Sequence, residues 1–303
     1  MLEKVKNRCD KWIAQLQNPH ISTMYNAIAS GKMLRSKLIL AIIPPESNPH
    51  KHDQIIDLCA IIELIQCASL LHDDVIDDAL VRRGNESINA SFGNKNAIML
   101  GDVLYSSAYA KLCEFDKQIA QYIAQCVSDL SIGEVNDVFY ARSFQSDLEI
   151  YYQILEQKTA ALIKACTKSA AILANLNHAQ YEEYGKNLGI GFQIIDDILD
   201  ITQDSQTLGK PNMNDLREGK STLAFILLYH KLPLNQRQTF LDAFKRADSS
   251  DIEWFRFQFK THNIIHESKQ IAKDFINKAI KAIENENNPR LIEVAHSMIQ
   301  RSV

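Results

Sequence analysis

DQIIDLCAIIELIQCASLLHDDVIDD, Asp53–Asp78, reads as one long helix. Apolar residues recur at three- and four-residue intervals, and no Gly or Pro interrupts them. The stretch closes on four aspartates in six positions, Asp73, Asp74, Asp77 and Asp78. Its longest apolar run, from Cys59 to Leu71, is broken by Glu63 and Gln66 and is too short for a membrane span. The same period recurs over 2–17, 21–43, 97–113, 116–142, 147–175 and 179–203, with further helical stretches from 221 to 301. Asn18-Pro19, Pro44-Pro45, Pro233, 248–250 and Pro289 punctuate them. Polar loops fall at 82–96 and 204–220, and no strand pattern competes. The expected architecture is an all-α helical bundle, one domain over 1–303.

The composition agrees. Only 10 Gly and 7 Pro occur in 303 residues, which favours long helices with short connections. A net charge of −4 without a basic stretch argues against nucleic acid as a partner. The six cysteines show no CxxC spacing and read as reduced thiols of a cytoplasmic protein rather than a zinc site. MLEKVKNRCDKW lacks the apolar core of a secretion signal.

Asp73, Asp74 and Asp77 form DDxxD, and a second copy, Asp196, Asp197 and Asp200, lies in GIGFQIIDDILDI. Positions i and i+4, and i+1 and i+4, share a helix face, so each copy can present its carboxylates to one side. Chance gives one DDxxD in a chain this long about one time in twenty and two far less often, and both copies end apolar stretches, which points to a cation. Hard carboxylate oxygens without paired His or Cys favour Mg²⁺, or Mn²⁺, over zinc or iron. A di-iron bundle would want Glu and Glu-x-x-His, and His72 has the wrong spacing. Mg²⁺ takes few carboxylates and completes its shell with water and phosphate, so two such clusters facing each other across a cavity would suit several Mg²⁺ ions sandwiching a diphosphate. Cations to hold it stand in GKMLRSK (Lys32, Arg35, Lys37), at Arg82 and Arg83, in EQKTAALIK (Lys158, with Thr159) and in LGKPNMNDLREGKST (Lys210, Arg217, Lys220). The last lacks P-loop spacing and reads instead as a closing lid.

In this order GKMLRS, LIQCASLLHDDVIDDALVRRG, GDVLYSSA, EQKTAALI, GFQIIDDILD and LGKPNMNDLREGKSTLAF resemble the trans-polyprenyl diphosphate synthase family along nearly the whole chain. The resemblance implies an isoprenoid-synthase-type bundle around a deep central cavity, a homodimer, and Mg²⁺-dependent elongation using two or three ions. It implies that the two aspartate clusters hold Mg²⁺ on the allylic diphosphate, with Arg82, Lys158, Lys210 and the closing-loop Lys220 beside it. Thr159 and Gln193 would lie along the reacting carbons, and Lys32, Arg35, Gln66 and Arg83 would bind isopentenyl diphosphate. Four positions depart from the family pattern: Met33 for Arg, Ser36 for Pro, Met213 for Gly and Ala224 for Pro. They bear on loop geometry and rate.

Product length is expected to depend on Ala68 and Ser69, one turn before the first cluster, with Leu64 and Ile65 next below. In the family, short-chain enzymes place large aromatics there, so small residues imply a longer product. The expectation is about eight isoprene units for a quinone tail, delivered to membrane enzymes, with a geranylgeranyl or farnesyl product as the alternative. Ile123, Val127 and Leu130 are candidates for a lower floor or for ordinary core. A cyclase would normally lack the second DDxxD, and a non-catalytic partner subunit would have lost charged site residues.

Overall fold

The computed structural model describes residues 1–44, 49–203 and 213–299. α1 (Leu2–Ala14) stops well before Asn18, and Asn18 instead caps α2 (Pro19–Asn26). Its carboxamide oxygen accepts the N–H groups of His20 and Ile21, while Pro19 occupies the first helical position, where no donor is needed. α3 (Leu34–Ile42) and α4 (His52–Ile76) follow.

The stretch from 82 to 96, expected as a loop, is partly ordered. β1 (Val81–Arg82) and β2 (Asn85–Glu86) pair antiparallel around Arg83 and Gly84, both with positive φ. That is a type I′ turn, whose twist suits a two-residue hairpin. Next come α5 (Ile88–Phe92), α6 (Asn94–Leu112), α7 (Lys117–Tyr140) and α8 (Leu148–Leu155). A π-helical turn, Glu156–Ala160, joins α8 to α9 (Ala161–Ala174), and α10 (His178–Thr202) follows. The remainder comprises α11 (Asn214–Arg217), α12 (Leu223–Lys231), α13 (Leu234–Arg246), α14 (Ser249–Thr261), α15 (Ile264–Ala282) and α16 (Pro289–Ile299). The expectation of an all-α protein holds, the hairpin being the small exception among the described residues.

The chain divides into two compact units, Met1–Val127 with Ala165–Tyr181, and Ser128–Lys164 with Glu182–Val303. In the first, α4 is the central element, packed by α1, α3, α5 and α6. By length and composition α4 is the one helix among the described residues that could cross a membrane, a correction to the reading of its apolar run as too short. Yet 67% of its apolar window is buried inside the protein, as in a core helix. In the second unit, Phe225, Phe240, Phe244, Phe255 and Phe259 form a buried cluster edged by Phe144. Most of its ring pairs meet edge to face.

Ser36 shows why one family departure is tolerated. Its N–H and hydroxyl both donate to Glu63 Oε1 on α4, at 3.1 and 2.7 Å, and it is fully buried. Proline there could supply neither donor. Ser36→Pro, although it restores the family residue, is expected to lower stability by about 2–3 kcal/mol in urea unfolding, because Glu63 loses both partners.

Candidate active site

In the first unit the aspartates sit where α4 ends. Asp77 is the C-cap, and Asp78 is left-handed at φ 48° and exposed. Ala79 N–H returns to Asp74 C=O and Asp78 N–H to Val75 C=O, the Schellman pattern that closes a helix. Asp78 therefore terminates the helix, a short polar side chain tolerating the left-handed region. Asp74 is buried and Asp73 half-buried, whereas Asp77 is exposed. Burial lifts the Asp74 carboxyl above the usual range, and the Arg82 guanidinium, 2.5 Å from its Oδ1, pulls the other way. The hairpin thus folds Arg82 back onto the cluster. Asn89 braces the same turn by donating to the carbonyls of Asp74 and Ala79. Arg83, at the hairpin tip, donates to Ala29 C=O at 3.0 Å. Arg35 is half-buried on α3, behind a left-handed Met33 at its N-cap, and Lys32 is exposed just before it. Ala68, Leu64 and Ile65 are closed off from solvent, as is Ser69, whose hydroxyl donates to Gln66 C=O.

The second unit is more fully assembled. A cavity of about 100 Å³ is lined by Lys158, Thr159, Gln193, Asp197 and Lys220, five expected site residues from three separate stretches. A directed hydrogen-bond chain runs through it. Thr159 Oγ1 donates to Gln193 Oε1 at 2.7 Å, and Gln193 Nε2 donates to Asp197 Oδ1 at 2.9 Å. Tyr151, buried on α8, donates to Asp197 Oδ2 at 2.8 Å. Burial raises the Asp197 carboxyl to about 6, against these hydrogen bonds, which lower it.

Lys158 sits between two acids of α7, 2.7 Å from Glu134 Oε2 and 2.7 Å from Asp137 Oδ2. Burial alone would pull its ammonium down, but Asp137 and Glu134 outweigh that and the repulsion of Lys220, holding it above the ordinary lysine range. Lys220 lies 3.9 Å from Asp137 and 2.5 Å from Glu218. The turn before it requires glycine twice over. Gly219 has φ 76°, and a Cβ there would stand 2.4 Å from Ala141 C=O. Glu134, Asp137 and Tyr151 were not among the residues expected from sequence. The one available signal was the i, i+3 spacing of Glu134 and Asp137, which reads equally as a solvated helix face.

Asp200 is buried, and its Oδ2 accepts the N–H of Asp215 in the first turn of α11. Met213, where the family has Gly, is left-handed at φ 55° and fully buried, so apolar burial holds a backbone shape that glycine adopts freely. Asp196 is half-buried, and Lys210 lies outside the described residues.

Among the described residues no three His, Cys, Asp or Glu side chains converge at metal-ligand spacing. The donor set nevertheless suits Mg²⁺. All six aspartates offer hard oxygens, and the buried carboxyls of Asp74 and Asp197, raised by desolvation, would be relieved by a cation. One or two carboxylates per ion suffice when phosphate and water complete the shell.

The chain is a member of the polyprenyl synthetase family, whose model matches residues 18–257. The octaprenyl pyrophosphate synthase structure from Helicobacter pylori is 46% identical with a TM-score of 0.94, over 99% of this chain and 98% of that one. A decaprenyl diphosphate synthase structure from Rhodobacter capsulatus is 26% identical with a TM-score of 0.91, over 100% and 96%. The prenyl transferase of Cyanidium caldarium is 31% identical over 306 residues, 95% of this chain and 92% of that protein.

Proposed function

We propose that this prenyltransferase extends an allylic diphosphate, with farnesyl diphosphate as primer, by successive addition of isopentenyl diphosphate to a polyprenyl diphosphate of about eight units. The observation that carries the reading is Lys158, held charged by Glu134 and Asp137 in the cavity of Thr159, Gln193 and Asp197. The octaprenyl names of similar proteins support the long product.

In this reading Lys158, Arg82, Lys210 and Lys220 contact the allylic diphosphate, and Lys32, Arg35, Gln66 and Arg83 hold that of isopentenyl diphosphate. Asp73, Asp74, Asp77, Asp196, Asp197 and Asp200 hold Mg²⁺, which when bound supplies Lewis-acid charge to the departing diphosphate. Lys158 adds fixed positive charge where negative charge develops as the allylic C–O bond ionises. The isopentenyl double bond attacks the carbocation, and a proton leaves to the released diphosphate. Thr159 and Gln193 flank the reacting carbons. Holding both substrates in line makes the encounter effectively intramolecular. Ala68 and Ser69 leave room for the growing tail. The protein works as a cytoplasmic homodimer and passes its product to membrane enzymes for quinone side chains. The exposed apolar stripe Ile132, Val135, Val138 and Phe139 on α7 supports the dimer.

The test is to incubate the chain with Mg²⁺, labelled isopentenyl diphosphate and farnesyl diphosphate, and to size the dephosphorylated products. A ladder ending near eight units is expected. Arrest at four would keep the chemistry and overturn the open floor at Ala68 and Ser69, and no elongation by folded protein would overturn the reading.

The raised Asp197 carboxyl gives a separate expectation. A carboxyl that titrates near 6 when folded, against 3.8 unfolded, favours the fold below about pH 4. That contribution is lost as pH rises through about 6. In EDTA, the stability of the native chain relative to Asp197→Asn should therefore fall by roughly 2 kcal/mol between pH 4 and pH 7.5 in urea titrations. A flat difference would show that Asp197 stays ionised throughout.

A further inference from the structure

We infer that a second cavity, of about 600 Å³, binds a phosphate-bearing amphiphile. It lies in the second unit, lined by the end of α10 (Ile201, Thr202, Gln203), by α14 (Arg256, Phe259, Lys260) and by the start of α15 (Asn263, Ile265, His266). None of the residues described above as candidates for elongation lines it.

Three observations set the ligand's chemistry. The first is charge. Arg256 and Lys260 stand four apart on α14, hence on one face, and His266 joins them from α15. No carboxylate lines the cavity among the described residues, although the chain as a whole carries −4. Scattered surface cations would be a solvated face, but convergence into one concavity with no carboxylate among its described lining residues concentrates a positive field. Glu267, the nearest acid in the chain to His266, is engaged by Lys231.

The second observation is the helix end. α15 has 19 residues and begins behind Asn263, which is left-handed and makes no side-chain cap. Its first-turn N–H groups add donors and the positive end of the helix dipole to the side of the cavity that holds the cations. The third is the apolar share. Ile201, Phe259 and Ile265 line the cavity beside the cations, and Phe257, one residue after Arg256, is 64% exposed. A bare inorganic ion has no use for that apolar surface. A phosphate or diphosphate head on a hydrocarbon tail uses both, either as a free molecule or as part of a lipid surface. Ile201–Gln203 directly follow Asp200, so occupancy would bear on the end of the helix that carries the second aspartate cluster.

The experiment uses the full chain in EDTA. One arm titrates dodecyl phosphate below its critical micelle concentration, with inorganic phosphate as the head-only comparison. The other measures co-sedimentation with phosphatidylcholine vesicles with and without phosphatidylglycerol. The variant is Arg256→Glu with Lys260→Glu, both exposed, for which unchanged circular dichroism and elongation rate are expected. Dodecyl phosphate is expected to bind at least tenfold more tightly than inorganic phosphate, and the variant to weaken it at least tenfold, which assigns a free amphiphile. A loss confined to phosphatidylglycerol vesicles, shared by Phe257→Ser, assigns a bilayer headgroup instead. Equal binding by native and variant protein in both arms, or no binding in either, overturns the inference.

Discussion

Lys158→Ala is expected to lose elongation activity by about a hundred- to a thousandfold, the scale of removing one preorganised electrostatic contact at developing charge. It should also unfold about 3 kcal/mol more easily. Glu134 and Asp137 are 9% and 17% exposed, and in the variant each would be left without the ammonium now 2.7 Å away. Breaking a buried ion pair from one side strands the other charge, which is worth more than the pair's net contribution. Lys158 keeps 23% exposure, which places the expected loss at the lower end for such pairs. The two consequences separate in Lys158→Ala with Glu134→Gln and Asp137→Asn. Neutral amides no longer need the ammonium, so most of the stability should return, while activity should not. Urea unfolding and steady-state kinetics on the two variants decide it. If the triple variant is no more stable than the single one, the counter-charge account fails.

The lysine was readable in the chain, but what holds it was not. EQKTAALIK announces a cation because the residues are polar within an apolar helix, and the DDxxD copies announce themselves by repetition. Glu134 and Asp137 carry no such mark. On α7 they look like an ordinary charged face, and only the tertiary approach of Lys158 makes them counter-ions. Asp78 shows the opposite case. It stands beside the first cluster but outside the motif and reads as a solvated neighbour; it is exposed, and its left-handed φ adds what the sequence did not show, that it is the residue that ends α4. The hairpin at 81–86 was hidden for a third reason. Arg-Gly is a weak turn signal next to Asn-Gly, and strands of two residues show no alternation. The long apolar helices were legible because periodicity accumulates over many residues, whereas local devices rest on one or two.

Gly189→Ala should be the other severe substitution, although it improves helix propensity by about 1 kcal/mol. The reason is the π-turn at Glu156–Ala160, where the backbone runs wider than an α-helix and two neighbouring helices make room for it. On α7, a Cβ at Gly133 would stand 2.5 Å from Lys158 N. On α10, a Cβ at Gly189 would stand 2.5 Å from Ala160 Cα and 2.6 Å from its Cβ. Two of these are backbone atoms of a packed turn and the third is a Cβ fixed to it, so the obstacle cannot rotate away as a longer side chain would. Overpacking of this kind costs about 1–3 kcal/mol. The rate should fall further, about a hundredfold, because the turn that must shift is the one carrying Lys158 and Thr159, and a displacement near 1 Å misaligns both. Gly191→Ala on the same helix is the control. Its Cβ would meet Ile276 Cδ1 at 2.9 Å and the Ala272 carbonyl oxygen at 3.1 Å, a side-chain end and a backbone atom that need give only a few tenths of an ångström and lie away from the π-turn, so any stability loss should be small and activity should hold. If both variants behave alike, helix propensity governs these positions. If only Gly189→Ala collapses, the missing side chains at 133 and 189 are what allow the chain to bulge, and the bulge is what brings Lys158 and Thr159 into one cavity.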